Sequence, residues 1–106
     1  MAVSTERLPS WPEAGLRRLA LDASRVLHVP WVHVSTDLVR RHAPEAVLCP
    51  LVGPNFDAVD MADRLGAARY GGMLVVAVPA PLPNPRVIHQ EINRAGGGKF
   101  QVEIIC

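Results

Sequence analysis

The sequence predicts one small α/β domain with a mainly parallel, four-stranded sheet. Two short runs, AVLCPLV at 46–52 and MLVVAV at 73–78, are apolar without alternation, which is typical of strands covered on both faces. Amphipathic helical patterns alternate with these runs, and ten prolines in 106 residues divide the chain into short elements. Strands that alternate with helices form right-handed βαβ units, so helices are expected on both faces of the sheet. Residues 1–9 are interpreted as a polar leader, and residues 10–106 as the domain.

The balance of charge excludes two classes of partner. Eleven basic and ten acidic residues give a net charge of +1, which produces no field that attracts nucleic acid or an anionic membrane.

The N-terminus lacks the apolar core of a signal peptide, and no apolar run is long enough to cross a bilayer, so a cytoplasmic location is expected. Cys49 and Cys106 fall on predicted strands separated by a third strand and are expected to remain free thiols.

The first predicted elements are a helix and an interrupted strand. Ser10 and Glu13 stand at capping-box spacing, and they predict a helix over residues 12–23. Residues 25–34 are rich in β-branched side chains and predict a strand. Because proline cannot donate to a β-ladder, Pro30 restricts this strand to a sheet edge or splits it.

The middle of the chain predicts a helix, a buried strand, a turn and a second helix. Ser35 can cap a short helix over residues 36–42. The apolar run at 46–52 is the next strand, and the glycine, proline and asparagine at 53–55 end it in a turn. Apolar residues at helical spacing then predict a helix over residues 57–68.

The last part of the chain repeats the alternation. The strand at 73–78 leads into the connector PAPLPNP, whose four prolines forbid both helix and central strand. Asn84 is predicted to cap a helix over residues 85–95 that begins with proline. Three glycines at 96–98 form a hinge before a final strand at 101–106.

One stretch resembles a known family. Residues 44–65, PEAVLCPLVGPNFDAVDMADRL, place a proline before a buried strand, a proline turn after it and an F-D-A helix start beyond the turn. This order resembles the middle of a response-regulator receiver domain, and the likeness covers about two thirds of the chain. The resemblance implies a truncated, flavodoxin-like receiver fold that is short of one strand at its start and one helix at its end.

The resemblance also identifies the positions that receiver chemistry would need. Phosphotransfer in this family uses an acidic pair after the first strand to hold Mg²⁺, an acceptor aspartate, a serine or threonine after the fourth strand and a lysine after the fifth. Pro50 stands at the acceptor position and Pro79 at the hydroxyl position, no Asp-Asp or Glu-Asp pair occurs, and the sequence ends before a lysine could follow the last strand. The resemblance therefore implies a degenerate pseudo-receiver that is not phosphorylated, has no catalytic residues and uses no cofactor.

Other candidate sites are few. Cys49 lies near the carboxyl end of a strand, but within an apolar run it is expected to be a buried hydrophobic residue. The four histidines form no H-x-x-x-H pair and have no carboxylate at metal-ligand spacing, so no metal site is expected. The three glycines at 96–98 precede a strand, whereas phosphate-binding glycines follow one. The candidate loop site for a small ligand comprises residues that follow two strands: Gly53, Pro54, Asn55, Phe56 and Pro79.

Two functions remain open from the sequence. The first is a non-catalytic regulatory module that binds another protein; the second is a small-molecule-binding or thiol-dependent protein that uses the loops near Cys49 and Pro79. If successive strands are neighbours, three helices lie on one face of the sheet and the other face is half bare. An exposed apolar face implies a homodimer or a complex with another protein. The candidate interface residues are Met73, Val75, Ala77, Val102, Ile104 and Ile105.

Overall fold

The computed structural model describes residues 1–6, 13–19 and 25–105. These residues form five strands: β1 (Ala2–Ser4), β2 (Val26–His28), β3 (Ala46–Pro50), β4 (Met73–Ala77) and β5 (Gln101–Ile105). The strands make one parallel sheet in the order β2-β1-β3-β4-β5. The helices are α1 (Glu13–Arg18), α2 (Thr36–His42), α3 (Ala58–Ala67) and α4 (Pro85–Ala95), with a 3₁₀ turn at Trp31–His33. Within the described ranges, no helix is long and apolar enough to span a membrane.

The first strand corrects the predicted polar leader and the predicted strand count. β1 pairs in parallel with both β2 and β3, so it lies inside the sheet, and Ala2 and Val3 are only 2% and 1% exposed. The Thr5 N–H donates to the Leu48 carbonyl at 3.1 Å, which continues the ladder by one residue. Three residues are too few to show the alternation of apolar and polar residues that indicates a strand. β1 is buried by strands that are distant from it in sequence, so its own residues could not predict it. The sheet therefore has five strands instead of four, and no strand is missing at its start.

Pro30 determines where β2 ends. The Val29 N–H donates to the Ser4 carbonyl at 2.8 Å, and Pro30 then begins the 3₁₀ turn with φ of −56°. The strand predicted over 25–34 is consequently only three residues long, and β2 occupies the sheet edge as expected. Of the helix predicted over 12–23, Glu13–Arg18 is helical and Leu19 lies in a turn; residues 12 and 20–23 lie outside the described residues.

The cap that Ser35 was predicted to provide for α2 is confirmed, and the cap that Asn84 was predicted to provide for α4 is corrected. The Ser35 hydroxyl accepts a hydrogen bond from the Leu38 N–H at 3.0 Å at the start of α2. Asp57 and Asp60 form a complete capping box at the start of α3. Asn84 occupies the N-cap position of α4, but its side chain makes no capping hydrogen bond. α4 instead begins with Pro85, whose fixed φ favours the first helical position and which has no N–H to be capped.

Alternation along the strands divides the core between two faces. The larger cluster joins one face of the sheet to α2, α3 and α4 through residues such as Val39, Leu65 and Ile92. The smaller cluster lies on the opposite face and consists of Ala2, Ala46, Leu48, Val75 and Ile105. α1 covers that second face, since a Cβ at Gly15 would lie 2.9 Å from the Ile105 Cβ. The three later helices therefore share one face, as the right-handed crossovers predicted.

The predicted interface residues do not form one surface. Val102 and Ile104 belong to the cluster under α2–α4, because alternation along β5 turns them away from the α1 face. Val75 and Ile105 are on the α1 face but are only 0% and 2% exposed within the single chain, so they have no area left for a partner.

The part of the α1 face that remains open is small and partly polar. Met73 and Ala77 are half-buried. Gln101 and Glu103 occupy the neighbouring α1-face positions of β5 and are hydrogen-bonded to each other at 2.9 Å. The bare apolar area is therefore smaller than the sequence predicted.

Candidate functional site

The carboxyl ends of parallel strands gather at one edge of a sheet, where open α/β proteins bind their ligands. In this chain β1 is followed by Thr5 and Glu6, β2 by the 3₁₀ turn, and β3 by the loop that leads into α3. Pro50, the predicted acceptor position, is the last residue of β3 and pairs with Ala77 of β4. The loops after β1, β2 and β3 thus meet at the carboxyl edge of the sheet, which is also the edge where the resemblance places the acceptor position.

The loop between β3 and α3 is closed by its own backbone. The Gly53 N–H donates to the Phe56 carbonyl at 2.8 Å, and the Ala58 N–H donates to the Leu51 carbonyl at 2.9 Å. A Cβ at Gly53 would lie 2.8 Å from the Phe56 Cε1, so only glycine allows the phenyl ring to pack across this position. Phe56 is 7% exposed as a result.

The acidic residues at the start of α3 are occupied by helix capping. The Asp57 Oδ1 accepts from the Asp60 N–H at 2.8 Å, and the Asp60 Oδ2 accepts from the Asp57 N–H at 3.0 Å. These bonds satisfy donors that the first turn of a helix leaves unpaired.

A cleft of about 580 Å³ opens beside this loop. It is lined by residues from the ends of β1 and β2, from the β3–α3 loop and from α3: Thr5, Glu6, Pro30, Trp31, Val32, Pro54, Asn55, Phe56 and Arg64. Three residues of the predicted loop site, Pro54, Asn55 and Phe56, thus lie on the cleft. Gly53 and Pro79 are not among the described lining residues, and Pro79 is exposed.

An aromatic and cationic stack forms one wall of the cleft. The rings of Trp31 and Phe56 are stacked, with centroids 4.6 Å apart and planes 9° from parallel. The Arg64 guanidinium carbon lies 3.8 Å from the Trp31 ring centroid, a cation–π distance, and its Nη1 donates to the Val34 carbonyl at 2.6 Å. Arg64 therefore links α3 to the 3₁₀ turn and fixes the distance between two walls.

The residues after β1 form the floor. The Ser4 hydroxyl donates to the Glu6 carbonyl at 2.6 Å and accepts from the Glu6 N–H at 3.2 Å, which fixes the turn that brings Glu6 to the cleft. Thr5 is 6% exposed and continues β1 on the face that Val3 occupies. Among the described residues, the Thr5 Oγ1 has no hydrogen-bond partner.

Cys49 is buried in the core as the sequence indicated. Its exposed fraction is 0%, and it packs in the cluster beneath α2–α4. Burial raises the pKa of the Cys49 thiol far above its ordinary value, and the charges of Asp57 and Glu6 act in the same direction. The thiol is therefore protonated at neutral pH and is not a nucleophile in the folded chain.

The described residues contain no group of three or more His, Cys, Asp or Glu side chains placed to hold a metal ion.

The sequence alone did not identify Thr5, Glu6, Trp31 or Arg64 as members of a site. The sequence offered one signal for two of them. The apolar residues at positions 2 and 3, before Ser4, are compatible with a short strand that Thr5 and Glu6 would follow. No local pattern indicates that Arg64 reaches Trp31, because the contact joins elements 33 positions apart and depends on how α3 lies on the sheet.

Comparisons with known proteins support the fold. No protein-family model matches the chain, and no curated protein matches it either. Among solved structures, the signal receiver domain of the response regulator NarL from Mycobacterium tuberculosis is similar, with a TM-score of 0.56 and 18% sequence identity. The match covers 95% of this chain and 81% of that one. The likeness confirms a receiver-like α/β fold with a parallel sheet.

Proposed function

We propose that this chain is a pseudo-receiver, a non-catalytic signalling or regulatory module that is not phosphorylated and works by binding another protein. The observation that carries the proposal is Pro50 at the end of β3, in a chain whose fold resembles a receiver. A proline side chain has no oxygen to accept a phosphoryl group. The nearest aspartate along the chain is Asp57, whose side chain caps α3.

The surroundings of Pro50 support the same proposal. Thr5 and Glu6 follow β1 where the family places its acidic pair, so one carboxylate stands in place of two. Lys99, the single lysine of the sequence, precedes β5 and so lies toward the opposite edge of the sheet. Phosphoryl transfer depends on positioned positive charge around the acceptor, and among the described residues that line the cleft at this edge Arg64 is the one basic side chain.

Incubation with acetyl phosphate and Mg²⁺ is expected to leave the mass of the protein unchanged, because no side chain at the end of β3 can form an acyl phosphate. Intact-mass spectrometry of the full chain measures the outcome, and a receiver domain that retains its acceptor aspartate is the positive control. A mass increase of one phosphoryl group would refute the proposal.

For the partner, we propose a second copy of the chain or a different protein that covers the open part of the α1 face. Met73 and Ala77 are the half-buried apolar residues there. Light scattering of a dilute sample is expected to give a mass above the 11.5 kDa of one chain, or to do so once the partner is added. A stable monomer that binds no hydrophobic dye would remove this part of the proposal. The cytoplasmic location expected from the sequence stays a prediction.

A second candidate function, small-molecule binding, is favoured by the cleft at the same edge of the sheet. Its walls come from four separate elements. The thiol-dependent form of this candidate is disfavoured, because Cys49 is fully buried and its pKa is raised.

Alkylation kinetics test the state of Cys49 directly. In a Cys106→Ser variant, so that one thiol remains, iodoacetamide at neutral pH is expected to modify Cys49 roughly a thousandfold more slowly in the folded protein than in denaturant. The reason is that a buried, protonated thiol reacts only when the structure opens. Rapid modification of Cys49 in the folded protein would instead support the thiol-dependent function.

A further inference from the structure

We propose that the amino edge of the sheet, where its strands begin, binds an extended acidic segment of a partner protein. This edge lies opposite Pro50 and the cleft beside the β3–α3 loop, so the proposal concerns a second surface of the molecule. It deepens the proposed function and rests on it in one respect, since it takes the partner to be a protein. Nothing in the comparisons assigns a partner to this edge.

Three helices end together at the amino edge, because each runs back across the sheet after the strand before it. The Arg40 Nη2 of α2 donates to the carbonyl of Ala67, the last residue of α3, at 3.2 Å. A Cβ at Gly66 of α3 would lie 2.8 Å from the carbonyl oxygen of Gly96, which follows α4. The ends of α2, α3 and α4 therefore form one continuous surface, the amino-edge surface.

The amino-edge surface carries basic side chains. Five of them are exposed, and among the described residues none of the five is in an ion pair: Arg40, His42, Arg69, Arg94 and Lys99. The residues that follow Arg69 and Lys99 are aromatic, and their ring centroids are 6.0 Å apart. These two cations therefore lie on the same part of the surface although they are distant in sequence.

Nearby negative charge does not balance these cations. The Glu45 carboxylate lies beside them and is 3.7 Å from the amine of Met1. Asp63 and Glu91 each lie about one turn before the end of their helix. Each helix end adds roughly half a negative charge, so three ends do not cancel three arginines and a lysine. The excess positive charge attracts a partner that is acidic.

A cleft of about 450 Å³ lies between the ends of α2 and α3. Of the described residues that line it, two are arginines and none is acidic: Val39, Arg40, Ala43, Pro44, Ala68, Arg69, Tyr70, Gly71 and Gly72. An acidic side chain that enters this cleft meets two guanidinium groups, which bind carboxylates with good geometry.

The end of α2 also leaves hydrogen-bond acceptors at this surface. Pro44 has no N–H that could donate to the Arg40 carbonyl. The Glu45 N–H, which would reach the Arg41 carbonyl in a longer helix, donates to the Met1 carbonyl at 2.8 Å instead. The amino-edge surface therefore offers cations and carbonyl acceptors together.

This combination favours a peptide over a nucleic acid. An acidic peptide has carboxylates for the arginines and backbone N–H groups for the open carbonyls. The phosphodiester backbone of a nucleic acid presents oxygens that accept hydrogen bonds, and these would face the carbonyls without a donor. The peptide must be extended, because a helix uses its own N–H groups internally.

Fluorescence anisotropy of the full chain with labelled octaglutamate tests the inference, and octalysine and an oligothymidylate of similar charge are the comparison probes. At an ionic strength of about 20 mM, octaglutamate is expected to bind and octalysine is not, and about 0.5 M salt should abolish the binding. In ¹H–¹⁵N NMR spectra the shifts should centre on Arg69, Gly71 and Gly72. No binding of octaglutamate at millimolar concentration, or tighter binding of the oligothymidylate, overturns the proposal.

Charge reversal at single positions locates the binding surface. Arg69→Glu is expected to weaken octaglutamate binding about tenfold, since it places like charges in contact. Arg86→Glu is the matched control, because Arg86 is exposed at the start of α4, on the opposite edge, and gives the same net charge. It should weaken binding less than about twofold.

Circular dichroism establishes that both variants fold, and Lys99→Glu, with the same expected loss, replaces Arg69→Glu if that variant does not. Equal losses at the two edges would mean attraction by net charge alone and would contradict the proposal. The acetyl phosphate experiment is independent of this surface, so a failure here leaves the absence of phosphorylation to be judged by that measurement.

Discussion

The substitution Val76→Asp is expected to prevent the chain from folding. Val76 lies in the middle of β4, a strand between β3 and β5, and its exposed fraction is 0%. It packs in the cluster beneath α2–α4, where the neighbouring side chains are apolar. Burying an unpaired carboxylate there costs several kcal/mol, which is comparable with the whole stability of a small domain, about 5–15 kcal/mol. Far-ultraviolet circular dichroism with a thermal melt measures the outcome.

Val87→Asp is the matched control for this prediction. Val87 lies on α4 and is 51% exposed, so the same change in charge should alter the free energy of unfolding by less than about 0.5 kcal/mol. If the Val76→Asp protein were soluble and melted cooperatively near the wild-type temperature, β4 would have an open face and the described packing would be incorrect.

The substitutions Gly71→Ala and Gly72→Ala, at neighbouring positions, are expected to have opposite effects. A Cβ at Gly72 would overlap the Tyr70 hydroxyl and lie 3.0 Å from the Glu45 carbonyl oxygen. Tyr70 cannot easily move away, since it is 5% exposed and its hydroxyl donates to the Pro44 carbonyl at 2.7 Å. Overpacking together with a weakened buried hydrogen bond is expected to cost about 2–4 kcal/mol. The free energy of unfolding in urea measures it.

Gly71→Ala supplies the comparison, because a Cβ at Gly71 meets nothing within 4 Å and the backbone there does not have positive φ. Alanine restricts the unfolded chain more than glycine does, so the folded state should gain about 0.4–1 kcal/mol. Equal effects at the two positions would mean that the Tyr70 ring is not held as described.

The hydroxyl of Tyr70 connects this position to the β3–β4 end of the sheet. Besides its bond to Pro44, the Tyr70 oxygen accepts from the Met73 N–H at 3.3 Å. Burial raises the pKa of Tyr70 to about 12. The Tyr70 hydroxyl thus joins two loops through its hydrogen bonds. It fits at this position because Gly72 has no side chain.

Several elements of this chain were determined by the sequence alone. β3 and β4 were predictable because AVLCP and MLVVA are apolar at every position, which only a strand covered on both faces requires. α3 was predictable because apolar residues recur at helical spacing after the turn at 53–55, and this pattern depends on neighbours within a few residues. The burial of Cys49 follows from the same local pattern.

Tertiary structure alone decided the rest. β1 is three residues long and becomes a strand only because β2 and β3 pair with it on either side, so no local period could indicate it. Because Thr5 and Glu6 follow β1, they could not be assigned to the site from a sequence in which β1 was not recognised as a strand. Alternation along β5 places Gln101 and Glu103 on the α1 face and Val102 and Ile104 on the opposite face. The residues of the predicted interface are therefore divided between the two faces of the sheet. The cleft is formed by Thr5, Trp31, Phe56 and Arg64 from four separate elements. Contacts between elements depend on how the sheet and helices pack, and a sequence records that packing only through the sum of all its residues.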